Sequence, residues 1–287
     1  MYIKPSFSHR GKEPENSVLY LVGTPIGNLN DISIRAINIL KNVSVIACED
    51  TRQTNKIMKK YEFNNSLISF NKDNSFKKIP TIINDLKRGK SIALVSDAGM
   101  PSICDPGEEL VKHAKASGIE IICIPGPCAA ITALVSSGME SSSFVFEGFL
   151  PKKKNLREKI LSEINISKKT TVLFESPHRI KKLLNELKKF CGGEREVQVF
   201  RELTKKFEQH IDGNLNELIE YFQEKEVIGE ITVVIKASNK FDISEIDFLQ
   251  VKVDLNELIT AGLSLKAASK YLSKKNNLKK SIIYNLY

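Results

Sequence analysis

The segment LVSDAGMPSICDPG, residues 94–107, joins an apolar run to a helical pattern. The run 92–95 predicts a short buried strand, and the helical pattern begins at Glu108. Proteins of the α/β class bind ligands where such strands end, because the crevice of the sheet lies there. Ala98 and Gly99 have almost no side chain, so a ligand could lie against the backbone. The alternative is a plain connection with an Asp cap and two turn prolines.

The same succession of buried strand, small or polar residues and helix recurs on both sides of this segment. The strand runs, each with the sequence that follows it, are SVLYLV with GTPIGNLNDIS (17–33), VSVIAC with EDTR (43–52) and IEIICI with PGPCAA (119–130). Repeated units with fully apolar strands predict a parallel or mixed sheet flanked by helices. The glycines of GTPIGNLNDIS fit neither the dinucleotide fingerprint nor the Walker A pattern, which argues against a P-loop NTPase.

The second half of the chain predicts a separate α+β unit with a mixed sheet. Its strand patterns include a short run at 144–147, TTVLF with ESPHR (170–179), the run 196–200 with RELTK (201–205), a strand at 206–212, and ITVVI (231–235). After Ala237, a linker-like stretch leads to three short helical patterns at 255–261, 265–272 and 278–286. We therefore expect a flexible leader (1–16), an N-terminal α/β domain (17–125), a C-terminal α/β domain (126–237), and a linker with a helical tail (238–287).

The chain is basic, and its positive charge is unevenly distributed. The formal net charge is +9. Between residues 150 and 190 there are 12 Lys and Arg against 4 Asp and Glu, and from residue 262 onward there are 6 Lys and no acidic residue. Segregated positive charge favours a phosphate backbone as a partner. The alternative is that the two basic segments are only solvent-exposed helix faces.

Other features of the composition restrict the class of protein. No apolar run approaches the length that spans a bilayer, and the first residues have no apolar core of a secretory signal. The 5 cysteines form no C-x-x-C pair, which favours reduced, buried thiols in a cytoplasmic protein. The 4 histidines are scattered and predict no metal site.

Seven motifs then stand in one order: GTPIGNLNDIS, ACEDTR, SDAGMPSICDPG, PGPCAA, FESPHR, RELTKKFEQ and GEITVVI. Together they make the chain resemble the ribosomal RNA small-subunit cytidine 2′-O-methyltransferases, a branch of the tetrapyrrole methylase superfamily. The matching motifs are closely spaced over residues 17–237, whereas the tail matches only in its succession of short helical patterns. It implies a class III methyltransferase with two α/β domains, S-adenosylmethionine in the cleft between them, and a homodimer. The implied reaction methylates the ribose of a decoding-centre cytidine in 16S rRNA of the small subunit and requires no metal.

The resemblance also implies which residues line the cofactor. They come from both domains: Pro25, Ala98, Gly99, Met100, Ile103, Cys128, Ala129, Phe174, Leu203, Glu230, Ile231 and Thr232.

The acceptor side of the site is open to several assignments. A ribose hydroxyl needs a base or an oriented hydrogen-bond acceptor when it attacks. Candidates for that role are Glu49, Asp50, Asp97, Glu175, His178 and Glu202. We expect Glu175, His178 and Arg179 near the reacting ribose, with Asp50 as a further catalytic candidate. We expect the substrate to be bound by Glu49, Arg52, Arg201 and Lys205, of which the three cationic side chains can bind phosphates.

Each of these assignments has a purely structural alternative. Glu175 could be a satisfied carboxylate that holds Arg201, and His178 could be only a helix-start residue. At the level of the whole protein, a methyltransferase for a small tetrapyrrole or a non-enzymatic RNA-binding protein are the competing functions.

Overall fold

Two five-stranded sheets with helices packed against them make up most of the chain in the computed structural model. The structure describes residues 13–238, 248–276, 278 and 280–287. Most of the predicted leader (1–12) and of the predicted linker (239–247) lies outside the described residues. In the described part of the chain, no helix is both long and apolar enough to cross a membrane.

The first sheet is parallel throughout, which the apolar strand runs allow. Its strands are β1 (Val18–Val22), β2 (Val45–Cys48), β3 (Leu67–Ser69), β4 (Ile92–Val95) and β5 (Glu120–Ile124), and its helices are α1 (Ile34–Asn42), α2 (Thr51–Lys60), α3 (Ser75–Lys87) and α4 (Gly107–Ala116). The strand order is β3-β2-β4-β1-β5. Because all five strands run the same way, the loops that follow them meet at one edge of the sheet.

The second sheet is mixed, as predicted. Its strands are β6 (Phe144–Phe149), β7 (Thr170–Glu175), β8 (Glu196–Arg201), β9 (Gln209–Asn214) and β10 (Ile231–Ile235), and its helices are α5 (Ala129–Ser137), α6 (Lys154–Ile166), α7 (Ile180–Cys191) and α8 (Leu215–Phe222). The strand order is β6-β7-β10-β8-β9. Only the β6–β7 pair is parallel, and the three other pairs are antiparallel.

Helix α5 belongs with the second sheet although it follows the last strand of the first. Ala130, Ala133 and Leu134 are buried in one core cluster with Val172 of β7 and Val234 of β10. The chain thus leaves the first sheet at the end of β5. This packing is compatible with a domain boundary at 125/126, which stays a prediction.

Three of the differences between predicted and observed element bounds have a visible cause in the structure. Strand β6 runs to Phe149, beyond the predicted end at 147, because a bulge lets it pair with β7 again. Strand β9 starts at Gln209 rather than at 206, since the Glu208 carboxylate accepts the Thr204 N–H at 2.6 Å and keeps the preceding turn closed. The first tail helix starts at Phe248 rather than at 255.

The tail is a small helical unit with a core of its own. It consists of α9 (Phe248–Thr260), α10 (Leu265–Lys275) and α11 (Lys280–Tyr284). Its buried cluster contains only residues from this part of the chain: Val251, Leu255, Ala268, Leu272, Leu278 and Ile283. Val251 needs a turn of helix before residue 255 to reach this cluster, which explains the earlier start of α9. The predicted two α/β units and helical tail are confirmed.

The prediction of buried thiols is only partly correct. Cys48 and Cys191 are buried and Cys128 is half-buried, but Cys104 and Cys123 are exposed. Cys123 lies on β5, an edge strand, where alternate side chains point away from the core. Cys104 lies in a loop, and apolar neighbours in sequence do not bury a loop residue.

Candidate active site

A cleft of about 390 Å³ lies between the two sheets. On the first sheet it is bounded by the loops that follow β1, β2, β4 and β5, and on the second by the ends of β6, β7 and β8 and the start of β10. Its lining residues are Ile26, Glu49, Ser96, Asp97, Ala98, Gly99, Met100, Ile103, Cys104, Asp105, Cys128, Ala129, Phe149, Phe174, Glu175, Ser176, Pro177, Phe200, Leu203, Gly229, Glu230, Ile231 and Thr232.

The loop after β4 is fixed against the loop after β1 by a short antiparallel bridge. The Thr24 N–H donates to the Gly99 carbonyl at 2.9 Å, and the Gly99 N–H donates to the Thr24 carbonyl at 3.1 Å. The Ser96 hydroxyl adds a hydrogen bond to the Gly99 carbonyl at 3.3 Å. This wall of the cleft is therefore a backbone surface that is held in place, with little side chain above Ala98 and Gly99.

All the predicted cofactor contacts except Pro25 line the cleft. Pro25 is buried within the loop after β1, and its neighbour Ile26 is the residue that faces the cleft. The sequence did not single out Asp105, which also lines the cleft. Its Oδ1 accepts the N–H groups of Ser102 and Gly107, both at 2.8 Å. Its Oδ2 is buried and has no partner among the described residues, so it is available to a polar group of a ligand.

Two further carboxylates, Glu49 and Asp97, face the cleft from the first sheet. Burial raises the pKa of Glu49, and the nearby charges of Asp97 and Asp105 raise that pKa further. Burial also raises the pKa of Asp97, although its Oδ1 accepts the Asp50 N–H at 2.8 Å. Carboxylates that hold their protons more tightly than usual are stronger bases once ionised.

Asp50 and Arg52 do not line the cleft, and their expected catalytic and substrate-binding roles stay predictions. Asp50 caps α2 by accepting the Arg52 N–H at 2.8 Å, and its Oδ2 pairs with the Arg52 guanidinium at 2.6 Å. These hydrogen bonds lower the pKa of Asp50, which suits a cap rather than a base. Both residues lie in an adjacent surface groove that shares Glu49 with the cleft and also contains Asn71 and Lys72.

Glu175 lines the cleft, but its carboxylate is fully occupied by internal partners. Its side chain has no exposed surface, and its Oε1 pairs with Arg179 at 2.6 Å and accepts the Ser176 N–H at 2.8 Å. Its Oε2 lies 3.5 Å from the guanidinium of Arg157, which also donates to Glu186 at 2.7 Å. The satisfied carboxylate, an alternative raised above, is what the structure shows, although the partners are Arg157 and Arg179.

The remaining catalytic and substrate candidates lie outside the cleft. His178 is exposed and does not line it. Arg179 forms an ion pair with Glu175. Arg201 donates hydrogen bonds to the Gln209 amide oxygen and to the Ile228 carbonyl, both at 3.0 Å. Because Arg201 has these partners on the second sheet, the proposed pair of Glu175 with Arg201 is wrong.

Lys205 holds the two units together beside the cleft. Its ammonium pairs with Glu202 at 2.8 Å and with Glu230 at 3.0 Å, both on the second unit. Its side-chain stem lies directly against Gly27 of the first unit, where even a Cβ would not fit. The Thr204 hydroxyl next to it accepts the Asn28 N–H at 3.0 Å. The structure gives Glu202 and Lys205 this packing role and does not place them on the cleft wall.

Two further residues that shape the site, of which only Phe149 lies on the cleft wall, were missed by the sequence analysis. Arg157 was missed as the partner of Glu175 because it comes 18 residues earlier, on another element. Phe149 was missed because it falls outside the alternation of Phe144 and Phe146. Its ring centroid lies 5.7 Å from that of Phe174. Among the described residues, no group of three or more His, Cys, Asp or Glu side chains is arranged to hold a metal ion.

Comparison with known proteins gives consistent results at the levels of domain, chain and fold. The family model of the tetrapyrrole (corrin/porphyrin) methylases matches residues 18–219. The "Ribosomal RNA small subunit methyltransferase I" of Bacillus subtilis is 39% identical over 99% of this chain and 98% of its own length. The protein of the same name from Thermotoga maritima is 46% identical over 76% of this chain and 97% of its own length.

Two solved structures show the same fold at low sequence identity. A cobalt precorrin-4 methyltransferase has a TM-score of 0.60 at 17% identity and covers 77% of this chain and 95% of its own. A uroporphyrin-III C-methyltransferase from Thermus thermophilus, complexed with S-adenosylhomocysteine, has a TM-score of 0.55 at 16% identity, with 76% and 96% covered. Given the domain match and the relatives that are similar along most or all of the chain, this protein belongs to the tetrapyrrole methylase family, in the group of the ribosomal RNA small subunit methyltransferases I.

Proposed function

We propose that the protein transfers the methyl group of S-adenosylmethionine to the ribose 2′-oxygen of a decoding-centre cytidine in 16S rRNA. The observation that carries the proposal is the cleft between the two units, which gathers almost all the residues expected to bind the cofactor. Support comes from the names of the relatives, which are ribosomal RNA small subunit methyltransferases. A protein of the same fold is complexed with S-adenosylhomocysteine, the product that this cofactor leaves.

The cleft fits S-adenosylmethionine in size and in chemistry. Apolar side chains such as Ile26, Met100 and Leu203 suit the nonpolar faces of an adenosine, and polar groups are few. Ala98 and Gly99 leave room for close approach to the backbone. The free Oδ2 of Asp105 can accept a hydrogen bond from a hydroxyl or ammonium group. When bound, the cofactor supplies the electrophilic methyl group, and the protein binds, orients and excludes water.

We assign the role of proton acceptor to Glu49. It lines the cleft, where burial and the nearby carboxylates of Asp97 and Asp105 oppose its ionisation. Its raised pKa makes it a better base toward a ribose hydroxyl than an ordinary glutamate. Glu175, the earlier candidate, has both oxygens engaged by arginines and a backbone N–H. In this assignment Glu49 takes the proton of the 2′-hydroxyl as that oxygen attacks the methyl carbon.

The proposal extends to the partners and setting of the reaction. We propose that the substrate is 16S rRNA within a small-subunit particle in the cytoplasm, and that the protein acts as a homodimer without a metal. The excess of Lys and Arg between residues 150 and 190 supports a polyanionic partner.

Two measurements test the proposal. Purified protein is incubated with labelled S-adenosylmethionine and small-subunit particles, and the modified nucleoside is identified by mass spectrometry. We expect 2′-O-methylcytidine with the wild type and none with Gly99→Trp, whose bulk would occupy the cleft. Calorimetry should show that Gly99→Trp loses cofactor binding. Unmodified rRNA together with methylation of a porphyrinoid would replace this proposal by the tetrapyrrole alternative, and RNA binding without cofactor affinity would favour the non-enzymatic one.

A further inference from the structure

An aromatic ring in the wall of the cleft is left exposed. Phe149 lines the cleft and is 53% exposed, while its cross-strand neighbour Phe174 is half-buried. The two rings lie at 5.7 Å in a tilted arrangement, so part of the Phe149 face remains open. An exposed ring at the mouth of a ligand cleft offers a surface on which a planar group can stack.

A bulge in β6 turns Phe149 toward the cleft. Phe146 pairs with Val172, and Phe149 pairs with Phe174, so three steps along β6 correspond to two along β7. Regular alternation would place Phe146 and Phe149 on opposite faces, and the bulge places them on the same face. Gly148 provides the positive φ (+61°) that this local geometry uses. The pairing is therefore irregular at the one point that brings the ring to the cleft.

Three consecutive lysines follow the ring. Leu150 is buried in the core and anchors the segment, and Lys152, Lys153 and Lys154 are exposed. Within the described part of the chain, none of the three forms an ion pair, and the first turn of α6 contains no acidic residue. Positive charge at the start of a helix is unfavourable to the helix dipole. The stability of α6 therefore does not account for these lysines.

We infer that Phe149 and the lysines at 152–154 form the binding surface for the acceptor nucleotide. The Phe149 ring stacks on the acceptor base, and the lysines bind phosphates of the RNA strand beside it. Stacking on an aromatic side chain holds an unpaired base, and lysines bind phosphates as point charges. The inference rests on the proposed function, because it places the ribose of that nucleotide in the cleft that Glu49 also lines.

The first test separates RNA binding from cofactor binding. Phe149→Leu keeps an apolar side chain but removes the ring. We expect its affinity for purified small-subunit particles to fall about tenfold, as the loss of one stacked base predicts. Its affinity for S-adenosylmethionine, measured by calorimetry, should stay within about twofold, which also shows that the fold is intact. The matched control is Phe76→Leu, an exposed aromatic on α3 outside the cleft, which should leave both affinities unchanged.

The second test measures the contribution of charge. Replacing Lys152, Lys153 and Lys154 together by Gln should reduce the dependence of particle binding on salt. Each phosphate contact contributes about 0.7 to the slope of log binding constant against log salt for single strands, so the slope should fall by about 2. The control replaces the exposed lysines 77, 78 and 87 of α3 by Gln, which changes the net charge equally and should not alter the slope.

Either of two results would overturn the inference. One is a Phe149→Leu protein that binds particles as tightly as the wild type, whatever its cofactor affinity. The other is an equal salt slope for the two lysine variants. If the wild type methylates particles and either result is found, the inference fails and the proposed function stands. If the wild type methylates no rRNA but the variants lose particle binding as expected, the proposed function fails and the binding surface stands.

Discussion

At the scale of the residue, the carboxylates around the cleft differ in what their surroundings let them do. Glu175 and Asp50 form ion pairs with arginines, so their negative charges are already neutralised. Glu49 lies where burial and two neighbouring carboxylates oppose its ionisation. A group that is costly to ionise in its resting site is suited to take up a proton during the reaction. This contrast is the physical reason for choosing Glu49 over Glu175 and Asp50, and we place Asp97 second because its Oδ1 already accepts the Asp50 N–H.

Replacing Glu49 should impair turnover and leave the cofactor bound. Loss of a general base typically lowers the rate by 10²–10⁴-fold, so we expect about that fall in kcat for Glu49→Gln. The amide is nearly isosteric, and the affinity for S-adenosylmethionine by calorimetry should change less than about twofold. Glu108→Gln, an exposed acid on α4, is the control with unchanged kcat. A loss of kcat below about threefold would remove Glu49 from the mechanism.

The raised pKa of Glu49 has consequences of opposite sign for activity and for stability. Activity requires the ionised form, so kcat/KM should fall as the pH drops through this raised pKa, and the residual rate of Glu49→Gln should lack that limb. Because the folded-state pKa exceeds the unfolded one, the contribution of Glu49 to stability is full below the unfolded pKa and is lost as the pH rises through the folded pKa. Glu49→Gln should therefore raise the Tm at neutral pH, and the gain should shrink in acid. A lower Tm at neutral pH would contradict this.

The buried cluster around Glu175 should dominate the stability of the second unit. In Glu175→Ala, Arg157 loses one of its two carboxylate partners and Arg179 loses its partner, while Arg157 stays buried. Breaking such a pair destabilises a protein by about 3–5 kcal/mol, which denaturant unfolding would measure. Glu163→Ala, which removes an exposed partner of Lys159 on α6, should cost less than about 1 kcal/mol. Equal costs for the two variants would show that the cluster contributes little.

The sequence predicted these residues unevenly, and the reason lies in their contacts. Ala98, Gly99 and Met100 could be predicted because a strand end and small residues mark a ligand loop within one continuous segment. The roles of Glu175 and Arg201 could not be predicted, because each has a partner that is distant in the sequence and such contacts give no local sequence pattern. Phe149 could not be predicted, since a bulge shifts its phase without any sign in the hydrophobic alternation.

At the scale of the element, the loops after β1 and β5 must approach each other closely to form the floor beside the cleft. A Cβ on Gly126 would lie 2.8 Å from the Cα of Gly23, so backbone meets backbone with no side chain that could move. Gly23 precedes Thr24, whose N–H and carbonyl hold the loop after β4 through Gly99. A side chain added at Gly126 is therefore expected to displace Gly99, which lines the cleft.

Gly126→Ala should test this coupling. We expect a destabilisation of about 1–3 kcal/mol from overpacking and a cofactor affinity at least about tenfold weaker by calorimetry. Gly118→Ala is the matched control: this glycine has a positive φ of 69°, but nothing lies within 4 Å of the added Cβ. It should lower stability slightly and leave cofactor binding unchanged. Normal affinity in Gly126→Ala would mean that the loop after β4 does not depend on this approach.

At the scale of the whole molecule, the fold separates a catalytic body from a helical tail. The buried cluster of the tail contains only tail residues, and an ion pair at 3.1 Å between Asp254 and Lys275 joins α9 to α10. Each sheet has a core cluster of its own, and a further cluster beside the cleft joins Ile26 of the first unit to residues of the second. Sequence periodicity indicated these units because each buries its own apolar faces. It could not give the start of α9, which depends on where Val251 meets the other tail helices.

Unfolding the tail should therefore leave the body able to bind its cofactor. Leu255 is fully buried in the tail core, and Leu255→Asp would place a charge there that has no partner. We expect limited proteolysis to remove the tail of this variant rapidly, while calorimetry shows S-adenosylmethionine affinity within about twofold of the wild type. Leu249→Asp, at an exposed position of α9, should keep the tail protected. If Leu255→Asp lost cofactor binding as well, the tail and the body would form one cooperative unit, and the separation of their cores would not describe how the protein unfolds.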